Sequence, residues 1–360
     1  MILKTYQKYI LSSFLSVFFK ISLIFFCLAF ILNIFEEINF FKDLEVGFFL
    51  PLFLTLLNTP SVLYYIFPFI LLISTQFFFI RLFEKDELNI LKKTGLSNFN
   101  ILKIIVSATL ILGILIIVLF YNFSAKIKFL YLDLKNQFSL DNKYLAVIND
   151  NGLWIKDEIN GNVLIVNADK IDGTFIVNVN ITQLSSDFKL IQNIYSEKIN
   201  IKNNTWFVKE AKLTKNNFNT IDVKNMFIDT NFNIEKINSI FSNLASLTIF
   251  ELINLKDDYI LLGYSTLELD VHLQKIYAYP IYLMIMTLLS GIIMINIKHN
   301  KPKVFNLILG IFLSVIIYYT NYFFNILGQN EKLPLLLSIW IPLIILTIIC
   351  AIGLVRINEK

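Results

Sequence analysis

ILKIIVSATLILGILIIVLFY, residues 101–121, carries a single charge, Lys103, in twenty-one positions. About 20 such residues, rising about 1.5 Å each as a helix, cross the roughly 30 Å hydrocarbon core of a bilayer. Lipid is the solvent this segment needs. Five further blocks meet the same requirement, at 14–35, 60–82, 276–297, 304–323 and 334–355. The predicted fold class is therefore a membrane α-helical protein, with six transmembrane helices set three and three around a long insert. Composition agrees, since 56% of residues are hydrophobic and 16% charged, against about 45–50% and 25% in soluble domains.

The first block follows Lys4 and Lys8 but is long and has no small-x-small cleavage site after it, so it reads as a span and not a signal peptide. Lys20 within it reads as a side chain snorkelling to the headgroups. Residues 46–57 are apolar but short and contain Pro51. They are expected to approach the second span along the interface or re-enter, the alternative being an N-terminal extension of that span. Basic residues in short loops set the orientation. Lys4, Lys8, Arg81, Lys85, Lys92, Lys93, Lys103, Lys298, Lys301, Lys303, Arg356 and Lys360 fall on one side, and only Lys42 and Lys332 on the other. Both termini are expected in the cytoplasm and the insert outside it.

From 144 to 229 the period changes to two, as in the run from Thr174 to Ile181, with Gly and Asn-Asp punctuation between runs. Strands are expected at 152–156, 163–168, 174–181, 188–201, 206–214 and 220–229. Six or seven strands without helices between them predict an antiparallel β-domain of sandwich or open-barrel type, with a jelly-roll as the leading arrangement. Residues 246–262 return to a helical period. The domains read as 1–122, 123–270 and 271–360: a membrane half, the inserted β-domain with its return helix, and a second membrane half.

Between the second and third spans, residues 81–95 read as a short helix outside the bilayer. Acids including Glu84 and Glu87 crowd its start, Lys92 and Lys93 close it, and Gly95 stands where a left-handed cap belongs. One reading is a solvated connector. The other is a helix laid into a groove of a cytoplasmic partner, with Leu88 and Leu91 as apolar anchors and Glu87 as the orienting charge. No phosphate-binding loop occurs, so ATP, if used, belongs to a partner. His272 and His299 have no catalytic or metal-binding companions at recognisable spacing. Cys27 and Cys350 lie in apolar blocks and read as small hydrophobes. A net charge of +4 without a dense basic run gives no support to nucleic-acid binding.

Taken together, Thr59-Pro60 and Phe67-Pro68 in the second span, Glu87-Leu88 running to Thr94-Gly95, Gly152 to Asp157 (GLWIKD), and Lys275 with Pro280 in the fourth span resemble the LptF/LptG permease family of the lipopolysaccharide exporter. The order and spacing cover essentially the whole chain, and the GLWIKD stretch is more similar to LptG than to LptF. The resemblance implies a permease subunit that extracts lipopolysaccharide from the inner membrane and passes it through a periplasmic jelly-roll, with no cofactor of its own. It implies as partners an LptB-like ATPase dimer that uses the ATP, a homologous LptF-like subunit, and an LptC/LptA-like periplasmic bridge. Glu84, Glu87, Leu88, Leu91 and Gly95 then form the ATPase-coupling helix. Lys135 and Lys275 match basic positions at the mouth of the lipid cavity. Where related chains carry a lysine near the outer end of the first span, this one has Asn33; Lys42 nearby reads as a solvated loop lysine, the alternative being that it substitutes there. The rival readings are a membrane-anchored periplasmic binding or scaffold protein that transports nothing, and a membrane enzyme acting on lipid-linked sugars.

Overall fold

The computed structural model describes residues 4–42, 44, 46–136, 138, 153–159, 162–172, 174–187, 189–215, 220–230, 232–234, 237, 243–262, 265–295, 303–330 and 332–358. Two compact units emerge, Met1–Tyr131 with Leu267–Lys360, and Leu132–Thr266. The first contains six helices long and apolar enough to cross a membrane. They begin with α1 (Thr5–Phe40) and α2 (Phe49–Glu84), which the short α3 (Glu87–Lys93) separates from α4 (Asn98–Leu115). A π-helical turn, Ile116–Tyr121, joins α4 to α5 (Asn122–Asn136), so this helix runs past the expected end of its span at 121. After α6 (Ile249–Leu262) come α7 (Leu267–Ile295), α8 (Lys303–Gln329) and α9 (Leu335–Asn358).

The stretch around Pro51 neither re-enters nor stops at the interface. It is the first part of α2, as the alternative reading had it. Proline is tolerated in the opening turn of a helix, where the amide it lacks has no intrahelical partner. Pro68, deep inside α2, leaves the Tyr64 carbonyl without its i+4 donor. The Tyr279 hydroxyl from α7 donates to that carbonyl. In lipid no water can do this, so a neighbouring helix must. Tyr279→Phe, which keeps the ring and removes the donor, is expected to lower stability by about 1–3 kcal/mol, read as a lower thermal midpoint in detergent.

Helices α2 and α7 are the most enclosed of the spans. Leu72, Ile285, Met286, Ile317, Ile339 and Leu343 bring α2, α7, α8 and α9 into one core. Small residues let backbones approach: a Cβ on Gly113 of α4 would lie 2.9 Å from the Pro280 Cα of α7. At Gly310 of α8 a Cβ would strike the buried Gln76 amide, which donates to the Asn306 carbonyl at 3.1 Å. Helix α1 packs along a narrow stripe, Ile10, Phe14, Val17 and Phe18, and its rings meet those of α2, as in Phe14 on Phe78 with centroids 5.8 Å apart.

The second unit holds seven antiparallel strands, β1 (Leu153–Ile159), β2 (Asn162–Ala168), β3 (Lys170–Asp172), β4 (Phe175–Leu184), β5 (Leu190–Asn200), β6 (Thr205–Lys215) and β7 (Thr220–Asp229). They pair in the order β1-β2-β4-β5-β6-β7, with β3 also on β4, so the sheet is not closed into a barrel. Gly152 and Phe188, expected as strand starts, lie outside the described residues.

Strands β2 and β3 keep one register against β4, Val163 opposite Leu184 and Lys170 opposite Val177, and are parted only at Asp169. Opposite that break Asn178 has φ 54°, and its amide donates to the Asp169 carboxylate at 2.7 Å. Two strands further on Glu210 has φ 56°, and the β5–β6 ladder pauses between Tyr195 and Ile199. The burial phase shifts by one residue at the same line: Ile176 then Val179 in β4, Ser196 then Ile199 in β5, Val208 then Ala211 in β6. A crease thus crosses three adjacent strands and keeps the buried side of each continuous. Strands that bend this way are how a single meander builds the corner of a sandwich. Ser196, fully buried at the crease, donates to the Lys209 carbonyl at 2.9 Å, and Trp206 donates to the Phe232 carbonyl at 2.8 Å.

Candidate functional site

Helix α3 is short, yet its C-terminal end is fixed. Gly95 has φ +86°, and the amides of Gly95 and Leu96 donate to the carbonyls of Lys92 and Leu91 at 2.9 and 3.2 Å. This is the Schellman closure that glycine makes possible at the first residue beyond the cap. At the other end Asn89 donates to the Asp86 carboxylate at 2.6 Å. Leu88 is 3% exposed and packs inside its own unit, so it is not a free apolar anchor. Ile90, 56% exposed, offers the apolar surface that sequence reading gave to Leu88, with Leu91 partly covered beside it. Glu84 is exposed, and Glu87 is half-buried, its carboxylate close enough to the Tyr9 hydroxyl of α1 to raise the pKa of that phenol. That contact was invisible in sequence, where Tyr9 reads as one more interfacial ring.

At the opposite end of α1 a polar cluster joins three helices. Asn33, 7% exposed, donates to the Ala29 carbonyl at 2.9 Å and accepts from the Asn58 amide of α2 at 3.3 Å. The Lys128 ammonium of α5 donates to Asn58 Oδ1 at 2.6 Å and lies 4.6 Å from the centre of the Tyr131 ring. Tyr131 in turn donates to the Glu37 carboxylate at 2.7 Å. Of these residues only Asn33 was singled out in sequence. The signal available was the spacing of Lys128 and Tyr131 on one face of a helix that outruns its span. Lys42 is exposed just past α1, whereas Lys135 is 6% exposed in the last turn of α5. Asn33 and Lys135 are thus both buried, and Lys42 alone of the three is exposed.

The third feature is a cleft of about 720 Å³ among α2, α7, α8 and α9. Seven tyrosines line it: Tyr64 and Tyr65 of α2, Tyr279 and Tyr282 of α7, Tyr318, Tyr319 and Tyr322 of α8. Tyr64 and Tyr279 stack with centroids 4.5 Å apart. Lys275 and His272 lie on its wall, and the His272 ring shares a 3.0 Å hydrogen bond with the Tyr121 hydroxyl, which belongs to the π-helical turn.

A family model described as the lipopolysaccharide export system permease LptF/LptG matches residues 8–356. The chain belongs to the LptF/LptG family. Six apolar helices with an antiparallel β-domain inserted between the third and fourth are the architecture of such a permease. This LptF/LptG protein is accordingly a multi-pass membrane protein and a permease for lipopolysaccharide export, associated with the other Lpt components. No curated protein shows significant similarity to it.

Proposed function

We propose that this permease is the LptG-like subunit of an ATP-driven exporter in the bacterial inner membrane, with both termini cytoplasmic and the β-domain periplasmic. An LptB-like ATPase dimer drives it through α3, an LptF-like subunit completes the permease, and an LptC/LptA-like bridge receives the lipopolysaccharide. The observation that carries this reading is the build of α3. A seven-residue helix has no stability of its own, yet its C-terminal end is closed by Gly95 and Leu96, Leu88 is rooted in the membrane unit, and Ile90 and Lys92 are left outside. A connector has no use for such fixing; a docking element does. The bare anchor reading leaves α3 without a purpose.

Two measurements test it. Purification of the tagged chain should bring down a cytoplasmic ATPase, and its absence under conditions that keep the membrane unit folded defeats the proposal. Orientation is tested with Glu197→Cys and Lys92→Cys, both at exposed positions. In cells with a permeabilised outer membrane, an impermeant thiol reagent should label the first and spare the second. The reverse pattern would invert the topology and with it the assignment of α3.

A further inference from the structure

Helix α4 turns one buried face to its neighbours in steps of three or four residues, at Ile105, Thr109, Gly113 and Ile116. The next buried position is Tyr121, five residues on, and the shorter steps resume at Ser124. That long step is the π-helical turn, which takes up one residue more than an α-helix needs. Everything beyond it is set back by one position, about 100° of helix rotation. The side chains this brings inward are polar. Tyr121 meets His272 of α7 at 3.0 Å, Lys128 meets Asn58 of α2 at 2.6 Å, and Tyr131 meets Glu37 of α1 at 2.7 Å. Were the same residues an unbroken α-helix, the immediate predecessors of these three would stand in their places. Those are Phe120, Ile127 and Leu130, every one of them apolar.

We infer that the π-helical turn is a register switch: with the turn in place α5 shows its neighbours the polar set, and with the turn resolved into α-helix it shows them the apolar set. Each register has something to hold it. The polar one has the three contacts between helices, and the side chains of Asn122 and Ser124 brace the turn by donating to the carbonyls of Val118 and Tyr121 at 2.8 and 2.9 Å. The apolar one regains the regular ladder that a π-turn interrupts, and it removes the Lys128 ammonium from between the helices. Two discrete packings of one element are how packed helices move, since their interfaces are bistable and do not deform continuously. On the N-terminal side nothing has to shift, because Gly113 stays against Pro280. The use of the switch rests on the reading of this chain as an exporter, which must hold a charged head and then release it.

Two experiments on the intact complex test it. Cysteine pairs read the register, Asn58→Cys with Lys128→Cys for the polar one and Asn58→Cys with Ile127→Cys for the apolar one. They are joined by a short thiol crosslinker in a chain carrying Cys27→Ser and Cys350→Ala. Both pairs should react in the chain of full length, because the registers exchange. Tyr121→Phe, which cuts the contact with His272, should raise the yield of the Ile127 pair about fivefold relative to the Lys128 pair, the worth of one hydrogen bond. Deletion of Leu119, 64% exposed within the turn, removes the surplus residue. It should leave a folded chain in which only the Lys128 pair reacts and lipopolysaccharide export is lost. Deletion of Ile111, 61% exposed on α4 outside the turn, should instead unfold the membrane unit by turning one half of the span against the other. The inference is overturned if the Ile127 pair reacts no more in the full-length chain than in the Leu119 deletion. Unfolding of the Leu119 deletion, or export by it at the normal rate, overturns it as well. ATPase co-purification reads the export proposal separately, and the cysteine pairs report the register whether or not an ATPase is bound.

Discussion

Glu87→Lys is expected to abolish lipid-stimulated ATPase activity of the assembled exporter while leaving the permease inserted and folded. The reason is where the charge sits. Glu87 opens α3 beside the Tyr9 hydroxyl of α1, and one of its carboxylate oxygens is buried without a hydrogen-bond partner among the described residues, so the carboxylate is already partly desolvated before a partner arrives. Reversing a charge in such a contact costs about 2–5 kcal/mol, or at least about thirtyfold in affinity for the ATPase. Lysine would also stand near Arg81, which lies close enough to act on the same Tyr9 hydroxyl. Glu87→Gln, which retains an acceptor for Tyr9, should lose much less. Tyr9→Phe separates the two contacts of the carboxylate: docking should persist while the link from α3 to α1 is cut. ATPase binding and lipid-stimulated turnover, measured side by side, check all three, and normal turnover in Glu87→Lys would remove this residue from the coupling step.

The sequence was most legible where one physical rule dominates. In lipid every backbone group must be satisfied inside the segment, so length and hydropathy alone reveal six helices. In the β-domain the burial of alternate residues reveals six of the seven strands. What stayed hidden depended on side chains meeting across elements. Strand β3 is three residues long and shares its register with β2, so it reads as a loop. The crease escaped because Asn178 and Glu210 carry no mark of a positive φ beyond asparagine's tolerance for it. Their effect on the pattern, a one-residue slip in burial phase, looks like noise within any single strand.

The same division holds at the candidate sites. Gly95 was readable as a cap, since a left-handed residue after a short polar helix leaves few choices. Leu88 was misplaced because a seven-residue helix has too few turns to define an inner face by periodicity. Lys128 was overlooked for the opposite reason, being one of many lysines near a span end, where snorkelling is the ordinary role. Only the approach of α2 to α5 gives it a partner in Asn58.

That partner makes the Asn33, Asn58 and Lys128 cluster the place where an anionic cargo head is expected to meet this permease. Asn33 occupies the position at which the family resemblance implies a lysine, and its carbonyl is taken up by Asn58, whose own oxygen receives the Lys128 ammonium. A cation is thus supplied to the C-terminal part of α1 from a different helix. Tyr131 on Glu37 fixes the neighbouring turn, so Lys128 approaches with little freedom left to lose. Lys128→Met keeps the stem and removes the charge. A photo-crosslinking group at Leu32, 69% exposed on α1 beside Asn33, should then capture at least about tenfold less lipopolysaccharide, as expected for one charge-assisted contact. Lys128→Arg should retain most of the yield. A structural role alone makes a different prediction: if the cluster only ties α1 to α2 and α5, Lys128→Met lowers the thermal midpoint and leaves the crosslinking yield per folded molecule unchanged. Undiminished capture would place the cargo's head group away from this cluster, and the exposed Lys42 would become the next cation to replace.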